Sequence, residues 1–136
     1  MTRLLVDTSV WSLAYRRDTP LDAPSVRALR SALLDGDDVF TTGIILLELL
    51  RGFVPARVQQ RLAHDLAVLP LIEPTRDDYV AAAGLANECR RAGVQLNSVD
   101  ALIAQLAIAH DLLLMTTDGD FAHAARVIPL RLWRPA

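Results

Sequence analysis

The chain has 136 residues, 52% of them hydrophobic, with a formal net charge of −2 and a mean hydropathy of +0.28. That length suits one domain with a real core, and the apolar fraction exceeds what a small monomer needs, which points to a surface shared with another chain. No apolar run reaches the roughly 20 residues that span a bilayer, and an N-terminus that passes from one arginine through a short strand-like run to Asp7-Thr8-Ser9 is not a signal peptide, so the sequence predicts a soluble cytoplasmic protein.

Residues Arg3 to Val6 read as a short apolar strand, and Thr8 or Ser9 caps a helix carrying Val10, Trp11, Leu13 and Ala14, broken by Asp18-Thr19-Pro20. A helix from about Ala23 to Leu34 presents Val26, Leu29 and Leu33 on one face and ends at Asp35-Gly36-Asp37. Val39-Phe40-Thr41 is a second strand, followed by a helix from Gly43 to Arg51 closed by Gly52. Pro55 starts the next helix, with Val58, Leu62, Leu66 and Leu69 at apolar spacing. Leu71-Ile72 is a third strand, and a long helix runs from Thr75 to about Arg91, stopped by Gly93. Ser98 caps a helix, Ala101 to Ala109, so apolar that it must be central. Leu112 to Thr116 is a strand, Gly119 to Arg126 a short helix, and Val127 to Trp133 a last strand weakened by Pro129.

Strands alternating with helices over one domain, residues 1–136, indicate an α/β fold with a mostly parallel sheet covered on both faces. Ligand sites in such sheets lie beyond the carboxyl ends of the strands, where strand order reverses. Four acids are set in or against apolar runs: Asp7 after Leu4-Leu5-Val6, Glu48 after Ile44 to Leu47, Asp100 before Ala101-Leu102-Ile103, and Asp118 two residues after Leu112 to Thr116. Unpaired carboxylates are rarely buried, so acids attached to core elements suggest a shared cation. Asp7 and Asp118 follow strands and converge if those strands are neighbours, while Glu48 and Asp100 are expected near helix starts facing the same rim. Each also has a plainer reading: a helix cap for Asp7, a favourable helix first turn for Asp100, a turn for Asp118-Gly119, and a pair with Arg51 for Glu48.

Other residues narrow the chemistry. All fourteen basic residues are arginine, and the lack of lysine counts against P-loop NTPases, which need one at the phosphates. Cys89 is the only cysteine; it excludes an internal disulfide and fits a reducing compartment. His64, His110 and His123 share no metal-ligand spacing. An EF-hand reading of Asp118-Gly119-Asp120 fails, because no Glu occurs after Glu88.

The segments Leu4-Leu5-Val6-Asp7-Thr8-Ser9-Val10-Trp11, Glu48 on its apolar helix, Ser98-Val99-Asp100-Ala101-Leu102-Ile103-Ala104 and Thr116-Thr117-Asp118-Gly119-Asp120-Phe121 together resemble the PIN-domain proteins over essentially the whole chain. Among these the chain is most similar to the small ribonuclease toxins of VapBC toxin-antitoxin pairs. The resemblance implies a PIN-like three-layer sandwich in which Asp7, Glu48, Asp100 and Asp118 are the acidic quartet. It makes Asp120 an accessory acid and puts Ser9, Asn97 and Thr116 at polar positions around the site. It further implies an RNA substrate cut to 5′-phosphate and 3′-hydroxyl ends, a homodimer, and a VapB-like antitoxin, for whose apolar residues the helices from Gly43 to Gly52 and from Pro55 to Leu69 offer a groove. Hard carboxylate oxygens without a cysteine or histidine cluster select Mg²⁺ or Mn²⁺, with Asp7, Asp100 and Asp118 as principal ligands and Glu48 as a ligand or an orienter of water. The alternatives are a catalytically silent PIN scaffold that binds RNA or protein, and a PIN nuclease acting on DNA.

Overall fold

The structure, a computed structural model, describes residues 2–15, 23–52 and 56–135. The expected break at Asp18-Thr19-Pro20 and the expected helix start at Pro55 lie outside them. Strand β1 (Arg3–Val6) leads into helix α1 (Thr8–Tyr15), and α2 (Pro24–Asp35) leads into β2 (Asp38–Thr42). Next come α3 (Gly43–Arg51), α4 (Ala56–Leu66), β3 (Leu71–Ile72), α5 (Arg76–Arg91), α6 (Ser98–Ala109), β4 (Leu113–Met115) and α7 (Gly119–Ala124). The four strands form one sheet in the order β3-β2-β1-β4, with every pairing parallel. This is the α/β architecture expected, a parallel sheet flanked by helices.

β1 lies between β2 and β4, a place its apolar sequence suits. Leu4, Leu5 and Val6 are all buried, as a strand covered on both faces requires. Leu5 lies level with Phe40 of β2 on one side and Leu114 of β4 on the other. The chain winds outward from β1 to β2 and β3, then returns to place β4 on the opposite side. The reversal of strand order therefore falls between β1 and β4, and the loops after both strands open at that point.

Helix α6 buries Ala101, Leu102, Ile103, Ala104, Leu106 and Ala107, so the all-round apolar segment is indeed central, and it packs along α5. Its cap is Asn97 rather than Ser98: the Asn97 side chain accepts from the Asp100 N–H at 2.8 Å, and Ser98 is the first helical residue. Two further readings need correction. In α2 the buried positions are Val26, Leu29 and Ala32, while Leu33 is left largely exposed. The segment from Val127 to Trp133 makes only an isolated bridge from Leu132 to Leu114; Pro129 has no N–H to give a ladder. Helices α3 and α4 pack on each other. An open apolar groove lies between α3, α5 and α6, and a mixed one between α1, α2 and α4.

Candidate active site

The site is built outward from the end of β1. The Asp7 N–H donates to the Met115 carbonyl at 2.9 Å, which continues the β1–β4 pairing by one residue, and the Asp7 carbonyl accepts from Val10 N–H at 3.1 Å as α1 begins. The backbone of Asp7 thus starts the helix, while its side chain is free for something else. Asp7 Oδ2 accepts from Ser9 Oγ at 3.0 Å and from Thr116 Oγ1 at 2.8 Å. Each hydroxyl is oriented in turn by a backbone donor: Thr117 N–H reaches Ser9 Oγ at 3.0 Å, and Asp118 N–H reaches Thr116 Oγ1 at 3.0 Å. A hydroxyl has one proton, so accepting from the backbone leaves that proton for Asp7. The network compensates a carboxylate that is only 7% exposed and commits Oδ2, leaving Oδ1 for a ligand.

Asp118 caps α7, accepting from the Asp120 N–H at 2.9 Å. Asp100 is the third residue of α6, its backbone held by Asn97. Carboxylate oxygens of Asp100, Asp118 and Asp120 lie within 4.8 Å of one another. Donors on one Mg²⁺ octahedron are roughly 3 to 4 Å apart, given bonds of about 2.1 Å, so small side-chain rotations bring this trio onto one ion. Asp120, expected as an accessory, belongs to the closest-set trio, whereas Asp7 stands deeper behind it.

Glu48 arrives from a different direction than expected. It is the sixth residue of α3, not near its start, and it enters because α1 packs against α3. Its Oε1 accepts a long hydrogen bond of 3.4 Å from Thr8 Oγ1, and among the described residues no ion pair joins it to Arg51. Glu48 lines a crevice with Ser9, Ser12, Leu13, Leu49, Gly52 and Thr117. Thr8 and Ser12 were not among the residues expected at the site; the available signal was that Thr8 lies between Asp7 and Ser9 and that Ser12 follows Ser9 by about one helical turn.

Electrostatics ties the five acids into one cluster. Asp100 has its pKa raised from the ordinary 3.8 to about 6, first by burial and then by repulsion from Asp7, Asp118, Glu48 and Asp120. Four carboxylates close enough to oppose the ionisation of a fifth form an anionic pocket whose charge invites a divalent cation. The donors are all hard oxygens, which fits Mg²⁺-like ions and not a thiolate or imidazole site.

Residues 4–127 match the PIN domain family. VapC ribonuclease Mb1587 of Mycobacterium bovis and ribonuclease VapC11 of Mycobacterium tuberculosis are each 32% identical to the chain over 130 residues, covering 94% of it and 96% of their own length. The solved structure of VapBC2 from Rickettsia felis bound to a DNA fragment from their promoter is similar in fold, with a TM-score of 0.78 at 22% identity, covering 99% of this chain and 100% of the other. A parallel sheet whose switch point gathers five acids, matched in sequence over nearly its full length, leaves one conclusion: the chain belongs to the PIN-domain family and, within it, to the VapC ribonucleases.

Proposed function

We propose that the chain, as one PIN domain over residues 1–136, is the toxin of a type II toxin-antitoxin pair and hydrolyses RNA phosphodiester bonds with Mg²⁺ or Mn²⁺. The observation that carries this reading is the convergence of Asp7, Glu48, Asp118 and Asp120 on Asp100, with the Asp100, Asp118 and Asp120 oxygens close enough to share an ion.

In this reading Asp100, Asp118 and Asp120, with Asp7 deeper behind them, would hold the cation. When bound, such an ion would supply positive charge to offset that developing on the attacking and leaving oxygens of a phosphodiester. Ser9 and Thr116 keep Asp7 in one orientation by occupying its Oδ2. Asn97 does the same for Asp100 through the backbone, a cap of the kind whose loss costs about 1 kcal/mol. Glu48, set to one side in its crevice, orients a water and accepts its proton as the oxygen attacks phosphorus. Breaking the bond to the 3′-oxygen, which takes up a proton from solvent as it leaves, gives a 5′-phosphate and a 3′-hydroxyl.

The partners follow from the same reading: RNA as substrate, a VapB-like antitoxin as inhibitor, and a second copy of the chain in a homodimer. Leu47 and Tyr79, 60% and 57% exposed, border the α3–α5–α6 groove and support that face as the dimer contact. Among the described residues no helix is long and apolar enough to cross a membrane, which agrees with a cytoplasmic location. The decisive experiment uses protein freed of any antitoxin. RNA should be cut with Mg²⁺ or Mn²⁺, and cutting should stop in EDTA and in Asp118→Asn; undiminished cutting in chelator would overturn the mechanism.

A further inference from the structure

An acidic pocket repels the polyanion it is built to cut. A cation relieves that repulsion at one phosphate, but the phosphates on either side need positive charge of their own. Among the described residues, neither Arg90 nor Arg126 joins an ion pair, and both are exposed. Each lines a groove that reaches a residue of the acid site, Asn97 in one and Asp120 in the other. The first, about 610 Å³, passes from Arg90 along Gln95 to Asn97, the residue that caps the helix of Asp100. The second, about 510 Å³, passes from Arg126 and His123 to Asp120. The two share Gly93, Val94 and Gln95 as a common wall.

That wall is rigid. Val94 N–H donates to the Cys89 carbonyl at 2.8 Å and Gly93 N–H to the Arg90 carbonyl at 3.0 Å. Gly93 takes φ +79°, a left-handed conformation that closes α5 and suits glycine. Leu96 is buried behind the loop. A ridge with one guanidinium on each side, one groove ending at the Asn97 cap of the Asp100 helix and the other at the Asp120 carboxylate, is a fork for a chain of phosphates. Arginine is suited to this because its donors match phosphate oxygens in pairs.

We infer that Arg90 and Arg126, on the two sides of the Gly93–Gln95 ridge, bind the phosphates of single-stranded RNA flanking the scissile bond, with Gln95 placed between them to meet a base. The inference rests on the proposed ribonuclease reading and adds to it the path of the substrate. Arg76, at the opposite end of α5, roughly 20 Å away at 1.5 Å per residue, has no part in that path.

The test measures affinity for a fluorescently labelled, short single-stranded oligoribonucleotide as a function of monovalent salt. It uses the cleavage-blocked Asp118→Asn background at fixed Mg²⁺. Each phosphate contact to a single strand contributes about 0.7 to the slope of log affinity against log salt. Arg90→Gln and Arg126→Gln should each lower the slope by about 0.7 and the double variant by about 1.4, with melting temperature and Mg²⁺ titration unchanged; Arg76→Gln should leave the slope alone. An unchanged slope in the double variant overturns the inference. So does a double variant that binds RNA normally but loses a co-expressed protein partner, since the ridge would then belong to that partner. If the otherwise unaltered protein does not cut RNA with Mg²⁺ or Mn²⁺, the ribonuclease reading itself has failed. If it cuts while the slope stays put, only the path is wrong.

Discussion

Asp100→Asn should make the metal-free protein more stable while destroying its activity. In the folded chain the Asp100 pKa stands at about 6 against an ordinary 3.8, through burial and then the push of four other carboxylates. A difference of that size corresponds to at most about 3 kcal/mol. The residue is only half-buried, so solvent screening reduces the figure to about 1–2 kcal/mol. Replacing Asp in the first turn of α6 also forfeits a helix-dipole term of about 0.3–1 kcal/mol. The net gain is about 1 kcal/mol, or about 3–5 °C in melting temperature for a chain of this size.

The sign with pH is fixed by the direction of the shift. Between about pH 4 and 6 the folded state holds the Asp100 proton and the unfolded state has released it, so stability of the parent falls as pH rises through that window. The advantage of Asp100→Asn should therefore be full at pH 7.5 and absent near pH 4. Melting both proteins in EDTA at the two pH values measures it directly. A variant that melts below the parent at pH 7.5, or an advantage equal at both pH values, would refute the account of Asp100 as a strained member of an acid cluster. Added Mg²⁺ should stabilise the parent by mass action and the variant far less.

Thr116→Val keeps the shape of the side chain but removes both the donor to Asp7 and the acceptor of the Asp118 N–H; a loss of about 10–100-fold in cleavage is expected of a group that orients a metal ligand, and a rate equal to the parent's would show that the hydroxyl network does not position Asp7. In light scattering the chain should return twice its mass, and Leu47→Glu, placing a charge in the middle of the apolar face, should return a single chain; a parent that is monomeric at every concentration removes the dimer without touching the metal site. Co-expression with a neighbouring antitoxin should suppress RNA cleavage; such an antitoxin is expected to place a basic side chain in the acidic pocket, where a guanidinium can bridge carboxylates and compete with the cation, so replacing that side chain should weaken inhibition more than binding. Recovery of no partner from native cells, with no effect of expression on growth or RNA, would defeat the toxin assignment and leave the fold standing.

What could be read from the chain before folding was whatever depends on neighbours in sequence. Leu4-Leu5-Val6 is a short apolar run ending in an acid, so a buried central strand pointing Asp7 at the sheet rim follows from local pattern, as does the central place of α6. Asp118 follows from the same logic applied to β4, and the predicted proximity of the two acids became real because β1 and β4 are adjacent. What failed depended on packing. Leu33 and Ala32 are one residue apart in α2, and only the tilt of the helix on the sheet decides which is buried. Glu48 was expected near a helix start facing the rim; it reaches the site from the middle of α3, since α1 packs beside that helix.

The division of labour among the acids was hidden for a related reason. Asp7, Asp100, Asp118 and Asp120 are the same residue type, and spacing alone cannot say whose oxygens are already engaged. Ser9 and Thr116 lie far apart in sequence yet meet on one oxygen of Asp7, which ties that carboxylate to the protein interior and leaves Asp120, short of any such restraint, at the solvent edge with Asp100 and Asp118. The buried half of the cluster is thus set by hydroxyls and the exposed half by helix starts. Substitutions in the two halves should therefore fail differently: the first by misplacing a ligand that remains, the second by removing a ligand from a frame that remains.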